Sequence, residues 1–196
     1  MPVTMQMIRE LRQATQAGVL ACKNALELAG GDVEQAAQIL RQQGLAIAAK
    51  KATRTAADGR VGVYVHQGNK LASLVEVNCE TDFVARTDEF AQLCHDLAMQ
   101  VAAASPRWVS RQDVAQDVVE AEKRAYRAEM AGQSKPDHIM ERIIQGKLGK
   151  FYQENCLLEQ PFIKDDAITI EQLITEAIVK LGENIIVRRF ARFQIG

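Results

Sequence analysis

The sequence predicts an α+β fold, with an N-terminal three-helix domain followed by a three-stranded antiparallel sheet, helices and a helical hairpin. Three observations predict this class. Apolar residues recur at helical spacing over the first fifty residues, valines alternate with a period of two after residue 60, and helical spacing returns from residue 88. The length of 196 residues, 47% of them hydrophobic, is sufficient for one medium domain or for a small domain attached to a larger one.

The first fifty residues predict three short helices. The first ends in a turn over residues 16–18, and the second carries an apolar stripe that is broken by Gly30-Gly31. Asp32 can cap the third helix, with Gln35 in the position of a capping box, and Gly44 is the predicted end of that helix. Because the helix faces are narrow and made of small residues, we expect this bundle to depend on the rest of the chain or on a partner.

A change in composition sets the predicted domain boundaries. Residues 45–60 are rich in alanine, lysine, arginine and threonine, which predicts a helical extension followed by a linker. We therefore expect a helical domain over residues 1–52, a linker over residues 53–60 and a core and dimerisation domain over residues 61–196.

A β-hairpin and a long helix are predicted next. Valines alternate over residues 61–65, the sequence Gln67-Gly68-Asn69 predicts a turn, and apolar alternation resumes over residues 71–77. The following helix is predicted to begin after Thr87, with two acidic residues in its first turn, where their charges favour the helix dipole.

The second half predicts a helical hairpin over about residues 111–158, with a turn from Gly132 to Pro136. The predicted apolar stripe of its first helix consists of Val114, Val118, Ala121 and Ala125. Thr169 and Gln172 form a second capping-box pattern before another helix, and the chain closes on a strand from Ile185 to Ile195.

The closing strand can pair with the hairpin to complete a three-stranded sheet. Helices on one face of such a sheet leave its other face uncovered. We therefore expect that face to be covered either by a second copy of the chain or by the helical hairpin.

Composition argues against several classes of protein. A formal net charge of −1 provides no overall attraction to nucleic acid or to anionic lipid. The four cysteines are far apart and form no C-x-x-C pair, which is typical of a reducing cytosol and offers neither a zinc site nor a redox pair. No stretch approaches the length of a membrane span, and residues 1–10 lack the apolar region of a signal peptide. We expect a soluble, cytoplasmic protein that binds neither membrane nor nucleic acid directly.

No catalytic or cofactor motif is recognisable. Neither G-x-x-x-x-G-K-[ST] nor G-x-G-x-x-G occurs, and the three histidines lack metal-binding spacing. Cys79 is a conceivable nucleophile, but its acidic neighbours Glu80 and Asp82 would raise the pKa of the thiol and make it less reactive. We therefore expect no enzymatic chemistry, no metal and no cofactor.

The segment from Asn78 to Arg86 is the most informative in the chain. It joins a strand to a helix, so both of its ends are held, and it places the acid Asp82 next to the large aromatic Phe83. Single aromatic residues near helix starts usually pack into the core, so the pattern alone favours a buried Phe83 and a turn at Asp82. The alternative is a tip that inserts into a partner.

Long stretches of the chain, in the same order, resemble the elongation factor Ts family. The resemblance covers the family's ubiquitin-associated-like helical domain at residues 11–44, LRQATQAGVLACKNALELAGGDVEQAAQILRQQG. It also covers the family's linker at residues 48–59, AAKKATRTAADG. Its central signature is resembled by residues 77–90, VNCETDFVARTDEF. Its helical hairpin and following strand are resembled by residues 135–162, KPDHIMERIIQGKLGKFYQENCLLEQPF, and its closing strand by residues 182–196, GENIIVRRFARFQIG.

The resemblance implies a guanine-nucleotide exchange factor for the GTPase elongation factor Tu. In that family a Thr-Asp-Phe-Val tip enters the GTPase near its magnesium and phosphate site. The matching positions are Thr81, Asp82, Phe83 and Val84, which would dislocate Mg²⁺ and loosen GDP so that GTP can rebind. The N-terminal domain would grip the GTPase through partner-binding residues, namely Leu11, Val19, Cys22 and Lys23.

The sequence departs from the long members of the family in one respect. Long members have two related core subdomains, whereas this chain has one strand–helix unit. It therefore resembles the short form, in which a homodimer can supply the second half, in agreement with the uncovered sheet face. The departure leaves open which surface contacts the outer domains of the partner.

Three other functions have weaker support in the sequence. An RNA- or ribosome-binding protein would use the basic run from Lys50 to Arg60 with Arg188, Arg189 and Arg192, but the neutral total charge favours a solvated linker and strand face. A ubiquitin-type adaptor is suggested only by the three-helix start. A thiol or hydrolytic enzyme lacks any paired nucleophile and base.

Overall fold

The computed structural model describes residues 3–15, 17–130 and 136–196. The described residues confirm the α+β class, with helices, a three-stranded sheet and a second, two-stranded sheet. The chain divides into two compact units, each drawn from several segments: the first from residues 1–59, 78–87 and 174–186, the second from residues 60–77, 88–173 and 187–196. The sequence-based boundaries near residues 52 and 60 stay a prediction.

The first unit contains the predicted three-helix bundle, built from α1 (Met5–Thr15), α2 (Val19–Leu28) and α3 (Val33–Lys51). The predicted break between α2 and α3 is confirmed, since Gly30 and Gly31 have φ of 62° and 92°. The predicted turn over residues 16–18 includes Gln16, which lies outside the described residues. The core is small, as expected, and consists of Ile8, Leu11, Cys22, Ala25, Leu26 and Ala36.

Helix α3 begins as predicted and ends later than predicted. Asp32 caps it, since its Oδ1 accepts a hydrogen bond from the N–H of Gln35 at 2.9 Å. The predicted end at Gly44 is wrong, because the helix continues to Lys51. Gly44 is buried, and the methyl carbons of Thr175 and Val179 lie 3.6 and 3.5 Å from the point a Cβ would occupy. Packing on this face therefore outweighs the low helix propensity of glycine.

The predicted three-stranded sheet is confirmed. Its strands are β1 (Asp58–Val65), β2 (Leu71–Cys79) and β5 (Ile186–Gln194), in the order β1-β2-β5. The predicted turn between β1 and β2 places Gly68 and Asn69 at φ of 90° and 57°. Just outside the strands, the N–H of His66 donates to the carbonyl of Leu71 at 2.8 Å.

In the second unit, helix α5 (Asp88–Ala104) packs directly on one face of this sheet. A Cβ at buried Gly62 would lie 2.1 Å from the carbonyl oxygen of Cys94, so the helix backbone rests against a position without a side chain. The hydroxyl of buried Ser73 donates to the carbonyl of Ala98 at 2.6 Å. The apolar face of α5 is formed by its buried residues Phe90, Leu93, Cys94, Leu97 and Val101.

The opposite face of the sheet is apolar and exposed. We call it the open sheet face, and its side chains are Val61, Val63, Val65, Leu74 and Phe193. The described part of the helical hairpin, one of the two expected covers, does not bury them. An exposed apolar patch of this kind is a candidate interaction surface.

The helical hairpin consists of α6 (Gln116–Glu129) and α7 (Asp137–Asn155), preceded by a 3₁₀ turn at Arg111–Asp113. The predicted stripe is partly wrong, because Ala121 and Ala125 are exposed. Larger side chains on another face fill the core instead, since they bury more apolar area than alanine. The buried residues of this cluster are Val114, Val119, Met130, Ile144, Leu148, Phe151 and Cys156. The predicted turn at 132–136 falls mostly in residues 131–135, outside the described residues.

The segment between the hairpin and the last helix forms a second, two-stranded sheet. A 3₁₀ turn at Leu157–Glu159 leads into β3 (Pro161–Phe162), which pairs with β4 (Asp165–Thr169). Helix α8 (Ile170–Leu181) follows, and its predicted capping box is confirmed in both directions. The N–H of Thr169 donates to the side chain of Gln172 at 2.9 Å, and the N–H of Gln172 donates to the Thr169 hydroxyl at 3.2 Å.

Of the helices in the three described ranges, none combines the length and the apolar character needed to cross a membrane.

We predict that Gly62→Ala destabilises the protein by about 1–3 kcal/mol, because the added methyl group meets the backbone of Cys94 rather than a movable side chain. Urea unfolding followed by circular dichroism measures the change in free energy of unfolding. A change within experimental error would contradict the direct packing of α5 on β1.

Gly44→Ala is predicted to have the opposite sign. The new Cβ would lie at ordinary contact distance from two methyl groups, and alanine is favoured over glycine within a helix by about 1 kcal/mol. The same urea titration should therefore show a gain of up to about 1 kcal/mol. A loss would mean that α8 leaves no room for the methyl group.

Candidate partner-binding site

The segment between β2 and α5 forms one turn of helix at its tip. This turn, α4 (Asp82–Ala85), is capped by Thr81, whose hydroxyl oxygen accepts a hydrogen bond from the N–H of Val84 at 3.4 Å. The hydroxyl of Thr87 donates to the carbonyl of Val84 at 2.8 Å and ties the far end of the turn. The sequence predicted a loop here, and the structure shows a short helix whose two ends are both fixed.

Phe83 projects from this turn into solvent and is 80% exposed. The expectation from pattern alone, a core position, is wrong, because the single turn of α4 directs Ala85 into the protein and Phe83 away from it. Burying a phenylalanine contributes about 1.5–3 kcal/mol, so leaving one exposed forgoes stability. The ring is therefore accessible from solvent at the end of a turn whose two ends are fixed.

The acid next to this aromatic is available to a partner. The carboxylate of Asp82 lies 2.8 Å from the guanidinium of Arg86, and the two side chains are 43% and 79% exposed. An ion pair this exposed contributes little to stability and can be exchanged for another cation at little cost. Thr81 is exposed and Val84 is half-buried, so the four predicted tip residues lie together at one end of β2.

Glu183, which follows α8 in the chain, lies behind the tip within the first unit. Its Oε2 accepts hydrogen bonds from the N–H groups of Glu80 and Thr81, both at 3.0 Å. Its Oε1 accepts one from the hydroxyl of Thr81 at 2.6 Å. Charge-assisted bonds of this kind are among the stronger hydrogen bonds in proteins.

A second carboxylate forms the matching contacts in the other direction. Glu80 accepts a hydrogen bond from the N–H of Asn184 at 2.6 Å and lies 3.6 Å from the guanidinium of Arg54. The side chain of Asn184 is buried and donates to the carbonyl of Arg54 at 2.9 Å. No local sequence pattern predicts this network, because its hydrogen bonds join residues that are 102 to 130 positions apart.

Cys79, the conceivable nucleophile, is a buried thiol at the end of β2. Burial, with smaller contributions from the charges of Glu183 and Asp58, raises the pKa of Cys79 to about 11. The direction agrees with the sequence-based expectation, but the acids responsible are different ones. Burial also raises the pKa of Cys156 to about 11. At neutral pH both thiols are protonated, which makes them poor nucleophiles.

The four N-terminal candidates divide into core and surface residues. Leu11 and Cys22 are fully buried in the bundle core, whereas Val19 is exposed and Lys23 forms an exposed pair with Glu27 at 3.7 Å. Leu20, which the sequence analysis did not select, is 70% exposed. Its signal was present in the sequence, since it is a large apolar residue on the face of α2 opposite the buried stripe.

Five of the basic residues considered for RNA binding contact other groups of the chain, whereas Lys50 and Arg60 are exposed. Lys51 and Arg192 donate to backbone carbonyls, and Arg54, Arg188 and Arg189 pair with acids. These contacts are Lys51 with Gly182, Arg192 with Ala102, Arg54 with Glu80, and Arg188 and Arg189 with Glu76. Within the described ranges, no group of three His, Cys, Asp or Glu side chains is arranged to hold a metal ion.

Comparison with known proteins gives one family. The sequence model described as Elongation factor TS matches residues 4–196. A curated protein named Elongation factor Ts from Carboxydothermus hydrogenoformans is 54% identical over 194 residues, which is 99% of this chain and 89% of that protein. The protein of the same name from Fervidobacterium nodosum is 54% identical over 196 residues, the full length of both chains. The one from Caldanaerobacter subterraneus subsp. tengcongensis is 53% identical over 99% of this chain and 97% of its own length.

We predict that the native protein reacts slowly with Ellman's reagent at pH 8, because its four cysteines are buried and the thiolate is the reactive form. The same assay in guanidinium chloride should titrate four thiols rapidly. Because the pKa of Cys79 and of Cys156 is about 11, any slow native reaction should accelerate as the pH rises toward that value. A fast native reaction at pH 8 would contradict the assigned environment of these thiols.

Proposed function

The chain belongs to the elongation factor Ts family, and we propose from this membership that it is a cytoplasmic translation elongation factor that binds elongation factor Tu·GDP and promotes GDP release. GTP can then rebind to the emptied GTPase. The observation that supports this function most directly is Phe83, held in solvent at the end of a fixed helical turn. The protein performs no bond-making chemistry of its own and needs no cofactor.

In this proposal the tip acts on the magnesium site of the GTPase. Asp82 and Phe83 enter beside the bound Mg²⁺ and displace groups of the switch region, with Thr81 and Val84 on either side. Loss of the cation removes the charge that holds the phosphates of GDP, so the nucleotide dissociates. The exposed pair of Asp82 with Arg86 opens on entry, which frees the carboxylate for the partner.

The energies indicate that the tip does not act alone. An acceleration of about ten-thousand-fold requires the barrier to GDP release to fall by about 5–6 kcal/mol. Burying Phe83 in the partner supplies only about 1.5–3 kcal/mol. The remainder must come from binding elsewhere on the factor, coupled to strain at the magnesium site. Such coupling is reciprocal, so bound nucleotide weakens the factor by as much as the factor weakens nucleotide.

We place part of that binding on the ubiquitin-associated-like N-terminal bundle. Val19 and Lys23 lie on its surface and can contact the GTPase domain directly, together with the exposed Leu20. Leu11 and Cys22 are buried beneath them and hold α1 and α2 in position. Their part in partner binding is therefore indirect, through the shape of the helical surface.

We also propose that the protein is a homodimer formed through the open sheet face. Two copies of one antiparallel sheet can stack as a sandwich about 10 Å apart, with the valines of β1 and Phe193 between them. A two-fold interface requires a self-complementary surface. Glu76 on β2 lies beside Arg188 and Arg189 on β5, so an acid of one copy can pair with a base of the other copy across the two-fold axis. The second copy then provides the second core that this short chain lacks.

Phe83→Ala is predicted to slow GDP release from elongation factor Tu by more than it weakens binding to the nucleotide-free GTPase. The reason is that the tip acts by displacing the metal, whereas the bundle supplies most of the binding free energy. Stopped-flow release of fluorescent GDP gives the rate, and titration calorimetry gives the affinity. Ile139→Ala on α7 is a matched surface truncation that should leave both quantities unchanged. An unaltered release rate in Phe83→Ala would remove the tip from the mechanism.

Val63→Asp is predicted to convert the dimer to a monomer, because it places a charge at the centre of the apolar face. Light scattering after size exclusion should give twice 21.7 kDa for the parent protein and 21.7 kDa for the variant. Ile163→Asp, which alters an exposed apolar residue between β3 and β4, is the control and should remain dimeric. A monomeric parent protein at tens of micromolar would refute the proposed interface.

A further inference from the structure

Glu183 has no part in the mechanism described so far, although it makes three hydrogen bonds to the residues that lead into the tip. Its two oxygens hold both N–H groups at the end of β2 and the hydroxyl that caps α4. The carboxylate of Glu183 therefore constrains the direction in which α4 leaves the strand. Among the four tip residues, its hydrogen bonds go to Thr81.

These bonds differ from ordinary core packing. Thr81 is exposed and Glu183 is half-buried, so water can replace the carboxylate at the three donors when it is removed. Global stability then changes little, because groups that remain solvated lose no hydrogen bonding. What is lost is the single orientation of residues 80 and 81. This combination is expected of a residue that orders a functional segment rather than one that supports the fold.

The network around Glu183 also reaches the end of the N-terminal helices. Glu80, held by Glu183 through its N–H, pairs with Arg54, and Arg54 follows α3 within three residues. Bundle, tip and Glu183 all belong to the first compact unit. The end of the bundle is therefore connected to the base of the tip through hydrogen bonds and an ion pair.

We propose that Glu183 is a positioning residue for nucleotide exchange: its carboxylate presents the Asp82–Phe83 turn in the orientation that enters the GTPase. This inference rests on the proposed exchange function. A tip already in its inserting orientation pays no ordering entropy on entry, which lowers the barrier to metal displacement. Without Glu183 the tip keeps its side chains but samples other directions.

The test compares Glu183→Ala and Glu183→Gln with the parent protein in the complete chain. With elongation factor Tu carrying fluorescent GDP and saturating factor, Glu183→Ala should lower the maximal release rate about tenfold. Glu183→Gln keeps the length and one acceptor oxygen, so its rate should fall between the two. Glu34→Ala, an exposed acid in the first turn of α3, is the matched control and should keep the parent rate.

Two further readouts separate positioning from a general structural defect. Hydrogen exchange should accelerate at the N–H groups of Glu80 and Thr81, while the amides of α1 and α2 and the melting temperature stay at parent values. In a Phe83→Ala background the added Glu183→Ala should cost less than about twofold in rate, because it acts through the tip already removed. An equal loss in both backgrounds would overturn the proposal.

The outcomes distinguish this inference from the function on which it rests. If the parent protein fails to accelerate GDP release, the exchange function fails and the positioning role fails with it. If the parent accelerates release and Glu183→Ala matches it with unchanged amide exchange, the positioning role alone is refuted. Glu183→Gln allows the same comparison should the alanine variant not fold.

Discussion

The orientation of the exposed Phe83 depends on the backbone turn that carries it. That turn is held by hydrogen bonds rather than by apolar packing. Glu183 fixes the two N–H groups before α4, Thr81 caps the turn, and Thr87 closes its far side. Because the turn contains a single buried apolar residue, Ala85, hydrophobic packing alone could not hold it. The orientation of the tip therefore depends on hydrogen bonds to groups that, in an ordinary solvent-exposed loop, would be hydrogen-bonded to water.

The same contacts explain how a small bundle can contribute to events at the tip. The bundle core is made largely of small side chains, so its own stability is limited and its outward residues, such as Leu20, remain free to bind. The helix that leaves it, α3, runs past the predicted end at Gly44 and reaches Lys51, which donates to the carbonyl of Gly182. Gly182 and Glu183, which lie between α8 and β5, thus contact the end of α3 and the base of the tip, respectively. These polar contacts join the end of α3 to the base of the tip.

The elements most predictable from sequence were those whose signals are local. The caps at Asp32 and Thr169 and the turn at Gly68 follow from a few adjacent residues, and the structure confirms them. Two of the errors involve contacts between residues that are distant in sequence. Gly44 sits inside a helix that packs against α8, and the residues leading into the turn of Phe83 are hydrogen-bonded to Glu183, 100 positions later. The resemblance to a family identified the tip, but the residues that hold it in place could be found only in the folded chain.

The two faces of the sheet differ in burial, and strand β2 contributes side chains to both. Its inward side chains, among them Ser73, lie on the face covered by α5, where Gly62 of the neighbouring strand admits the helix backbone directly. Its outward residue Leu74 belongs to the open sheet face, and Glu76 lies two residues further along the same side of the strand. The last residue of β2 leads into the tip. Because neighbouring side chains on a strand point to opposite faces, assembly through the outward positions leaves the inward packing unchanged. The packed face can therefore hold the strand that supports the tip while the open face remains available for a second copy.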